Sequence, residues 1–115
     1  MIVIDAAVDG GGLLRSLDVS GHAGAAPRGS DIVCAAVSVL VKGFAAALDA
    51  KEGIAVRAEA PRRGSFHLEA GCEAGAGADV EPFFAGASAL ALAGFYAVSG
   101  EYPRCCAINI TEKGD

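Results

Sequence analysis

Basic residues are scarce in this chain, and cysteine pairs with metal-binding spacing are absent. The 115 residues include 9 Lys and Arg against 14 Asp and Glu, which gives a formal net charge of -5. An acidic chain offers no broad phosphate-binding surface, so we expect no nucleic-acid partner, whereas a basic polypeptide would be attracted to it. The four cysteines form no C-x-x-C pair, and we expect neither a metal nor a cofactor.

Export signals are also lacking, and the uncharged stretches do not suit a membrane span. The longest uncharged stretches are Ile32 to Val41 and Pro82 to Gly100. The first is too short to span a bilayer, and the second has a proline near its start and glycines inside it. The N-terminal residues carry no basic leader before Asp5. We therefore expect a cytoplasmic protein with reduced thiols and no membrane partner.

The composition that is present is typical of a folded domain. Apolar residues make up 53% of the chain and charged residues 20%, which is far from a disordered composition. A chain of this length buries roughly two thirds of the surface that its unfolded form exposes. We expect one domain over residues 1–115 that does not require disulfides.

Hydrophobic periodicity predicts five strands and two helices in the order ββαββαβ. Alternation with a period of two predicts a first hairpin over residues 2–20, a second hairpin over 54–70 and a closing strand from Cys106 to Ile110. Hairpins joined by helices favour an α+β domain, with a largely antiparallel or mixed sheet and two helices packed on it.

The two helices are predicted from their caps and their apolar faces. Ser30 or Asp31 can cap a helix that runs to about Ala50, and Asp79 can cap one that ends near Gly100. The predicted buried residues of the first helix are Ile32, Val33, Ala36, Val37, Leu40, Val41, Phe44 and Leu48. Those of the second helix are Phe83, Phe84, Ala87, Leu90, Ala91, Phe95 and Val98.

The candidate site lies between the first hairpin and the first helix. Three glycines and a proline between Gly21 and Ser30 oppose regular structure, so we expect a mobile loop that closes on a bound peptide. With Asp31 as the N-cap, Cys34 is the third helical residue, close to unpaired backbone N–H groups that favour the thiolate form. The loop is long enough to bring His22 over the helix end as a general base for a Cys34 nucleophile.

Each of these residues also has a purely structural interpretation. A cysteine on an apolar helix is more often a small buried residue than a nucleophile. Asp31 either only caps the helix or also orients the imidazole of His22. Ser38, one turn beyond Cys34, is expected to bond to a carbonyl of its own helix, although it lies on the same face as the Cys34 thiol.

The remaining cysteine and histidine side chains indicate structural positions. Cys72 and Cys106 are predicted to lie in the core, and His67 alternates with its apolar neighbours onto the solvent face of its strand. These residues provide no close pair of zinc ligands.

The chain resembles a known family in the segment that carries these candidates. The residues Gly21-His22-Ala23, Gly29 and Asp31-Ile32-Val33-Cys34-Ala35-Ala36-Val37-Ser38 resemble the signature of the ribosomal-processing cysteine protease Prp family, and a weaker resemblance extends along the whole chain. It implies that His22 and Cys34 form a catalytic dyad supported by Asp31 and Ser38. It also implies a substrate loop that includes Gly21, Ala23, Gly24, Gly29 and Ser30.

The resemblance further implies a substrate and an assembly state. Family members resemble homodimeric α+β proteins that remove a short N-terminal extension from large-subunit ribosomal protein twenty-seven, cutting after an aromatic residue before that protein enters the ribosome. Where many relatives carry an aromatic and an acidic residue in the loop, this chain has Ala25, Ala26 and Pro27. We therefore expect its loop contacts with substrate to differ from theirs.

Two other functions are compatible with the same residues. In a non-catalytic, ribosome-associated peptide-binding module, the Gly-rich loop would clasp a peptide and Cys34 would only pack. In an acyl transferase or thioesterase, the same nucleophile and base would act on a different bond. The reactivity of the Cys34 thiol distinguishes the peptide-binding module from an enzyme. A substrate assay distinguishes the acyl transferase or thioesterase from a peptidase.

Overall fold

The computed structural model describes residues 1–21, 30–62 and 64–114, with only the backbone of residues 30 and 31. Its elements in chain order are β1 (Ile2–Val8), β2 (Leu14–Ser20), α1 (Ser30–Asp49), β3 (Ile54–Glu59), β4 (Ser65–Cys72), α2 (Val80–Glu101) and β5 (Cys106–Glu112). This order confirms the predicted ββαββαβ arrangement and the α+β class.

The five strands form one mixed sheet in the order β3-β4-β2-β1-β5. The β1–β2, β2–β4 and β3–β4 pairs are antiparallel, and the β1–β5 pair is parallel. A parallel pair needs a long crossover connection, and the chain between β1 and β5 supplies one that contains both helices. The sheet is therefore mixed, which was one of the two arrangements predicted.

The sheet has one apolar face and one polar face because successive side chains of a strand point in opposite directions. Ala6, Leu17 and Leu68 are paired across β1, β2 and β4 and are at most 2% exposed. The neighbouring row of Asp5, Asp18 and His67 lies on the other face. The prediction that His67 alternates away from the core is confirmed.

The helices bury a narrower stripe than the sequence predicts. Ile32, Phe83 and Leu90 were predicted to be buried, but they are 59%, 41% and 73% exposed. The helices have more uncharged positions than one sheet face can cover, so periodicity alone cannot select the inward ones. The buried residues of α2 are Val80, Phe84, Ser88, Ala91 and Phe95.

The N-terminal ends of both helices differ in detail from the prediction. Asp79 occupies the N-cap of α2 but makes no side-chain capping bond, because its carboxylate pairs with the Lys51 ammonium instead. This ion pair holds the pKa of the Asp79 carboxyl below its usual value. Helix α1 begins at Ser30, which is therefore its first residue and not part of the preceding loop.

The structure separates the cysteines that the sequence placed together in the core. Cys106 is 1% exposed, and burial raises the pKa of its thiol. Cys72 is exposed, so its predicted core position is wrong. It is the last residue of β4.

Both helices are long and apolar enough to cross a membrane by length and composition alone. Each also contributes buried side chains to the core, Val33 and Val37 from α1 and Phe84 and Phe95 from α2. The core helices of soluble proteins pass the same test, so these two helices are weak evidence for a membrane span.

Candidate active site

A cleft of about 800 Å³ opens between α1 and the β3–β4 hairpin, at one end of the sheet. The described residues that line it are Ile2, Val19, Gly21, Cys34, Val37, Ser38, Val41, Lys42, Ala60, Arg62, Gly64, Ser65 and Phe66. Strand side chains form its apolar base, and the helix and the hairpin form its two walls. Among the cavities lined by described residues, this one contains the predicted nucleophile.

One face of α1 presents Cys34, Ser38 and Lys42 to the cleft. Residues four apart in a helix lie above one another on the same face, so these three side chains form a row. Cys34 is half-buried and its thiol is free. The predicted shared face of Cys34 and Ser38 is present in the structure, and Ser38 is exposed on it.

Cys34 lies farther into α1 than the N-cap prediction implies. Because the helix begins at Ser30, Cys34 is its fifth residue and not its third, and Asp31 is its second residue and not its N-cap. Ser30 and Asp31 are short polar residues that the first helical turn accepts readily, so the helix extends through them. The N–H groups of that first turn have no intrahelical acceptor, and helical side chains lean toward the N-terminus. The Cys34 side chain therefore leans toward the N-terminal end of α1, where these unpaired N–H donors lie.

Gly21 brings the end of β2 to the same cleft. It has a φ of +97°, a backbone conformation that favours glycine. The preceding residues are fixed by pairing between β2 and β4, in which Val19 is opposite Phe66 and Ser20 is opposite Ser65. Since His22 follows Gly21 directly in the chain, the backbone that leads into His22 starts from the edge of the Cys34 cleft.

Several predicted site residues cannot be assigned a position. His22, Ala23, Gly24 and Gly29 lie outside the described residues, as do the loop residues 25–27. For Ser30 and Asp31 the structure describes only the backbone, within the first turn of α1.

The cleft also contains residues that sequence reasoning did not assign to a site. These residues are Lys42 of α1, Arg62 of the β3–β4 hairpin and Phe66 of β4. The four-residue spacing of Cys34, Ser38 and Lys42 is a sequence signal that could have placed Lys42 at the site. The sequence contains no such signal for Arg62 and Phe66, because only the strand order of the sheet places β4 next to β2.

A charged cluster lies on the polar face of the sheet, close to the same strands. His67 Nδ1 is 2.6 Å from Asp18 Oδ1, and its Nε2 is 3.3 Å from Glu69 Oε2. The hydrogen bond with Asp18 and, next, that with Glu69 raise the pKa of His67. His67 follows Phe66 in β4, so this cluster and the apolar base of the cleft occupy opposite faces of the same strands.

The arrangement places a thiol near the start of a helix, on the wall of a peptide-sized cleft, and a thiol in such a position can supply the nucleophile of a cysteine protease. The family model described as "Cysteine protease Prp" matches residues 1–106. The chain therefore belongs to the Prp family of cysteine proteases. No curated protein sequence matches the chain significantly.

Solved structures of the same fold include the essential ribosomal processing protease Prp from Staphylococcus aureus in complex with a substrate peptide. It has a TM-score of 0.75 and 20% identity, with 96% of this chain and 100% of that chain covered. The same protease with a covalently linked product peptide has a TM-score of 0.72, 21% identity and the same coverage. The protein SMU.848 from Streptococcus mutans has a TM-score of 0.71 and 24% identity, covering 98% of this chain and 96% of that chain. At these identities the likeness concerns the fold.

Proposed function

We propose that Cys34 is the nucleophile and His22 the general acid and base of an endopeptidase that removes the N-terminal extension of large-subunit ribosomal protein twenty-seven. The observation that carries this proposal is that Cys34 and Gly21 line one cleft. Gly21 is covalently joined to His22, so only a short backbone segment separates the imidazole from the cleft that contains the thiol.

In the acylation step, His22 takes the proton of the Cys34 thiol, and the resulting thiolate attacks the carbonyl carbon of the scissile peptide bond. The carbonyl oxygen gains the negative charge, and the unpaired N–H groups of the first turn of α1 are the nearest backbone donors for it. The C–N bond then breaks, and His22 gives a proton to the departing amine. The products are a Cys34 thioester and a peptide with a new N-terminus.

In the second step, water hydrolyses the thioester. His22 takes a proton from the attacking water, the C–S bond breaks, and the acyl product leaves as a carboxylic acid while the Cys34 thiol is regenerated. A covalent intermediate is expected for this mechanism, and the Staphylococcus aureus protease of the same fold has been crystallised with a covalently linked product peptide.

Asp31 and Ser38 are the proposed supporting residues. Asp31 belongs to the first turn of α1, and Ser38 is one turn beyond Cys34 on the wall of the cleft. The proposed substrate loop comprises Gly21, Ala23, Gly24 and Gly29 and meets α1 at Ser30, and Gly21 already lies at the cleft.

The substrate assignment is supported by the family and by charge. The Staphylococcus aureus relative is described as a ribosomal processing protease, and a chain of net charge -5 attracts a basic ribosomal protein. Mass spectrometry of the N-terminally extended ribosomal protein tests this assignment. Wild-type enzyme should remove the extension, and Cys34→Ala and Cys34→Ser should leave it intact while retaining the wild-type circular dichroism spectrum.

Cys72→Ala is the matched control, because Cys72 is exposed and does not line the cleft. It should cleave at the wild-type rate. Undiminished cleavage by Cys34→Ala would refute the nucleophile assignment. Retained cleavage by His22→Ala would refute the dyad while leaving the nucleophile in place.

We further propose that the enzyme acts as a cytoplasmic homodimer. The outer faces of the helices carry large apolar side chains, with Val39 of α1 71% exposed and Leu90 and Tyr96 of α2 73% and 54% exposed. Large exposed apolar side chains are candidates for an association surface. Light scattering should give twice the mass of the chain for wild type, and Leu90→Glu should shift it to the monomer. A monomeric wild type would contradict the dimer, and recovery in the membrane fraction of cells would contradict the location.

A further inference from the structure

Two cations, Lys42 and Arg62, line the Cys34 cleft. Lys42 lies two helical turns beyond Cys34 on α1, and Arg62 belongs to the β3–β4 hairpin. Eight residues of helix correspond to about 12 Å along the axis. The Lys42 backbone is therefore separated from that of Cys34 by the length of a short peptide segment.

These cations have no charged partner among the residues that the structure describes. Arg15 pairs with Asp9, Lys51 pairs with Asp79, and Arg57 contacts two glutamates. Lys42 and Arg62 form no ion pair with any described residue, and the described lining of the cleft contains no aspartate or glutamate. Lys42 and Arg62 therefore produce a local positive potential in the cleft that contains the nucleophile, although the chain as a whole has a net charge of -5.

Apolar side chains line the same cleft, with Val37 and Val41 from α1 and Val19 and Phe66 from the sheet. An extended peptide advances about 3.3 Å per residue, so about 12 Å corresponds to three or four residues. A substrate that runs along α1 with its scissile bond at Cys34 therefore reaches Lys42 roughly three or four residues away from that bond.

We propose that Lys42 and Arg62 are specificity-determining residues that favour an acidic side chain, and disfavour a basic one, at this substrate position. The inference rests on the proposed peptidase function and deepens it. The charges act through the substrate side chain and take no part in bond breaking. Removing them changes selection among peptides, while cleavage of a peptide that is neutral at this position continues.

The test uses peptides based on the cleaved segment, each with Gln, Glu or Lys at one position between two and six residues from the scissile bond, on either side. We expect one position at which wild type prefers Glu to Lys by about tenfold in kcat/KM at low salt, and less at high salt because exposed charges are screened. The double variant with Lys42→Glu and Arg62→Glu should abolish or reverse this preference, measured as the ratio of kcat/KM for the Glu and Lys peptides on the same protein. Lys113→Glu makes the same type of charge reversal outside the cleft and should preserve the preference.

A binding measurement separates this inference from the proposed function. Fluorescence anisotropy on the Cys34→Ala protein should give severalfold tighter binding of the Glu peptide than of the Lys peptide, and the two cleft substitutions should remove the difference. If no peptide is cleaved but this difference is found, the peptidase assignment fails and the charge selection stands. If peptides are cleaved with no charge preference at any position, or with one that the cleft substitutions leave unchanged, the charge selection is wrong. Absence of peptide binding would overturn it as well.

Discussion

Gly21 and Met1 are in direct backbone contact. A Cβ atom added at Gly21 would lie 2.2 Å from the carbonyl oxygen of Met1, far inside van der Waals contact. Gly21 also has a positive φ of +97°. Two independent constraints therefore require glycine at the residue that precedes His22.

Gly21→Ala should lower both stability and activity. The left-handed backbone and the contact with Met1 together should reduce the free energy of unfolding by about 1–3 kcal/mol. Displacement of the following residue should reduce kcat/KM on the order of a hundredfold. Urea unfolding and peptide cleavage measure the two effects.

Gly12→Ala is the control for backbone strain alone. Gly12 has a φ of +81°, but no atom lies within 4 Å of the Cβ position. We expect Gly12→Ala to lower the free energy of unfolding less than Gly21→Ala does, because it adds no contact to the backbone strain. It should leave kcat/KM nearly unchanged. Equal effects of the two substitutions on stability and on kcat/KM would contradict a special role for the Met1 contact.

The imidazole of His67 joins β2 to β4 through its bond to Asp18, and its pKa is raised by the bonds to Asp18 and Glu69. A raised folded-state pKa stabilises the fold at pH values below the unfolded-state pKa of about 6.5. This contribution is lost as the pH rises through the folded-state pKa. NMR titration should give a His67 pKa above its usual value, and Asp18→Asn should lower it.

Asp5→Asn is the control for Asp18→Asn, because it removes one negative charge from the same face of the sheet. Asp5 is paired with Asp18 across β1 and β2, and its side chain bonds to Asn109. The substitution should leave most of the His67 shift in place. If Asp5→Asn lowers the pKa as much as Asp18→Asn does, the shift arises from the overall charge of the face.

Ser88 is a buried polar residue on the apolar side of α2. Its Oγ accepts a hydrogen bond from the Leu14 N–H at 2.9 Å. Ser88→Ala leaves that buried donor without its acceptor and should reduce the free energy of unfolding by about 1–3 kcal/mol. Ser99→Ala is the comparison, because Ser99 makes only a partly buried bond of 3.3 Å to the Cys106 carbonyl. Similar losses for both in urea unfolding would contradict this ranking.

Substitution by alanine should change the stability of the protein differently at two glycines of α2. Gly86 has no atom within 4 Å of its Cβ position, so Gly86→Ala should stabilise the protein by up to about 1 kcal/mol through helix propensity. At Gly94 the Cβ would lie 2.6 Å from a methyl group of Leu40 on α1. Gly94→Ala must displace Leu40, so its gain should be smaller or become a loss. Equal stabilisation in urea unfolding would show that Leu40 moves without penalty.

Local signals predicted most of the fold because each depends on residues close in sequence. The alternation around Ile4 and Leu17 defined the first hairpin, and the turn at Asp9 to Gly12 is closed as expected, with the Gly11 and Leu13 N–H groups donating to the Asp9 carboxylate. The signature around Cys34 predicted the family, which the sequence comparison confirms. The assignment of His22 as its partner stays a prediction.

The errors arose where packing has to choose among equivalent local options. Leu90 and Phe84 are both apolar positions of one helix, and only packing in the folded chain buries Phe84 and leaves Leu90 exposed. Asp79 has the chemistry of an N-cap, but Lys51, distant in sequence, captures its carboxylate.

The sequence by itself determined the order of the elements, the acidic character of the chain and the identity of its candidate nucleophile, because periodicity, charge and a local motif are all short-range properties. Tertiary structure alone decided that β4 pairs with β2, that Arg62 and Phe66 therefore meet α1 across a cleft, and that Lys42 shares this cleft with Cys34. The physical reason is that strand order and the covering of a helix face depend on contacts between distant residues, and no local pattern specifies them.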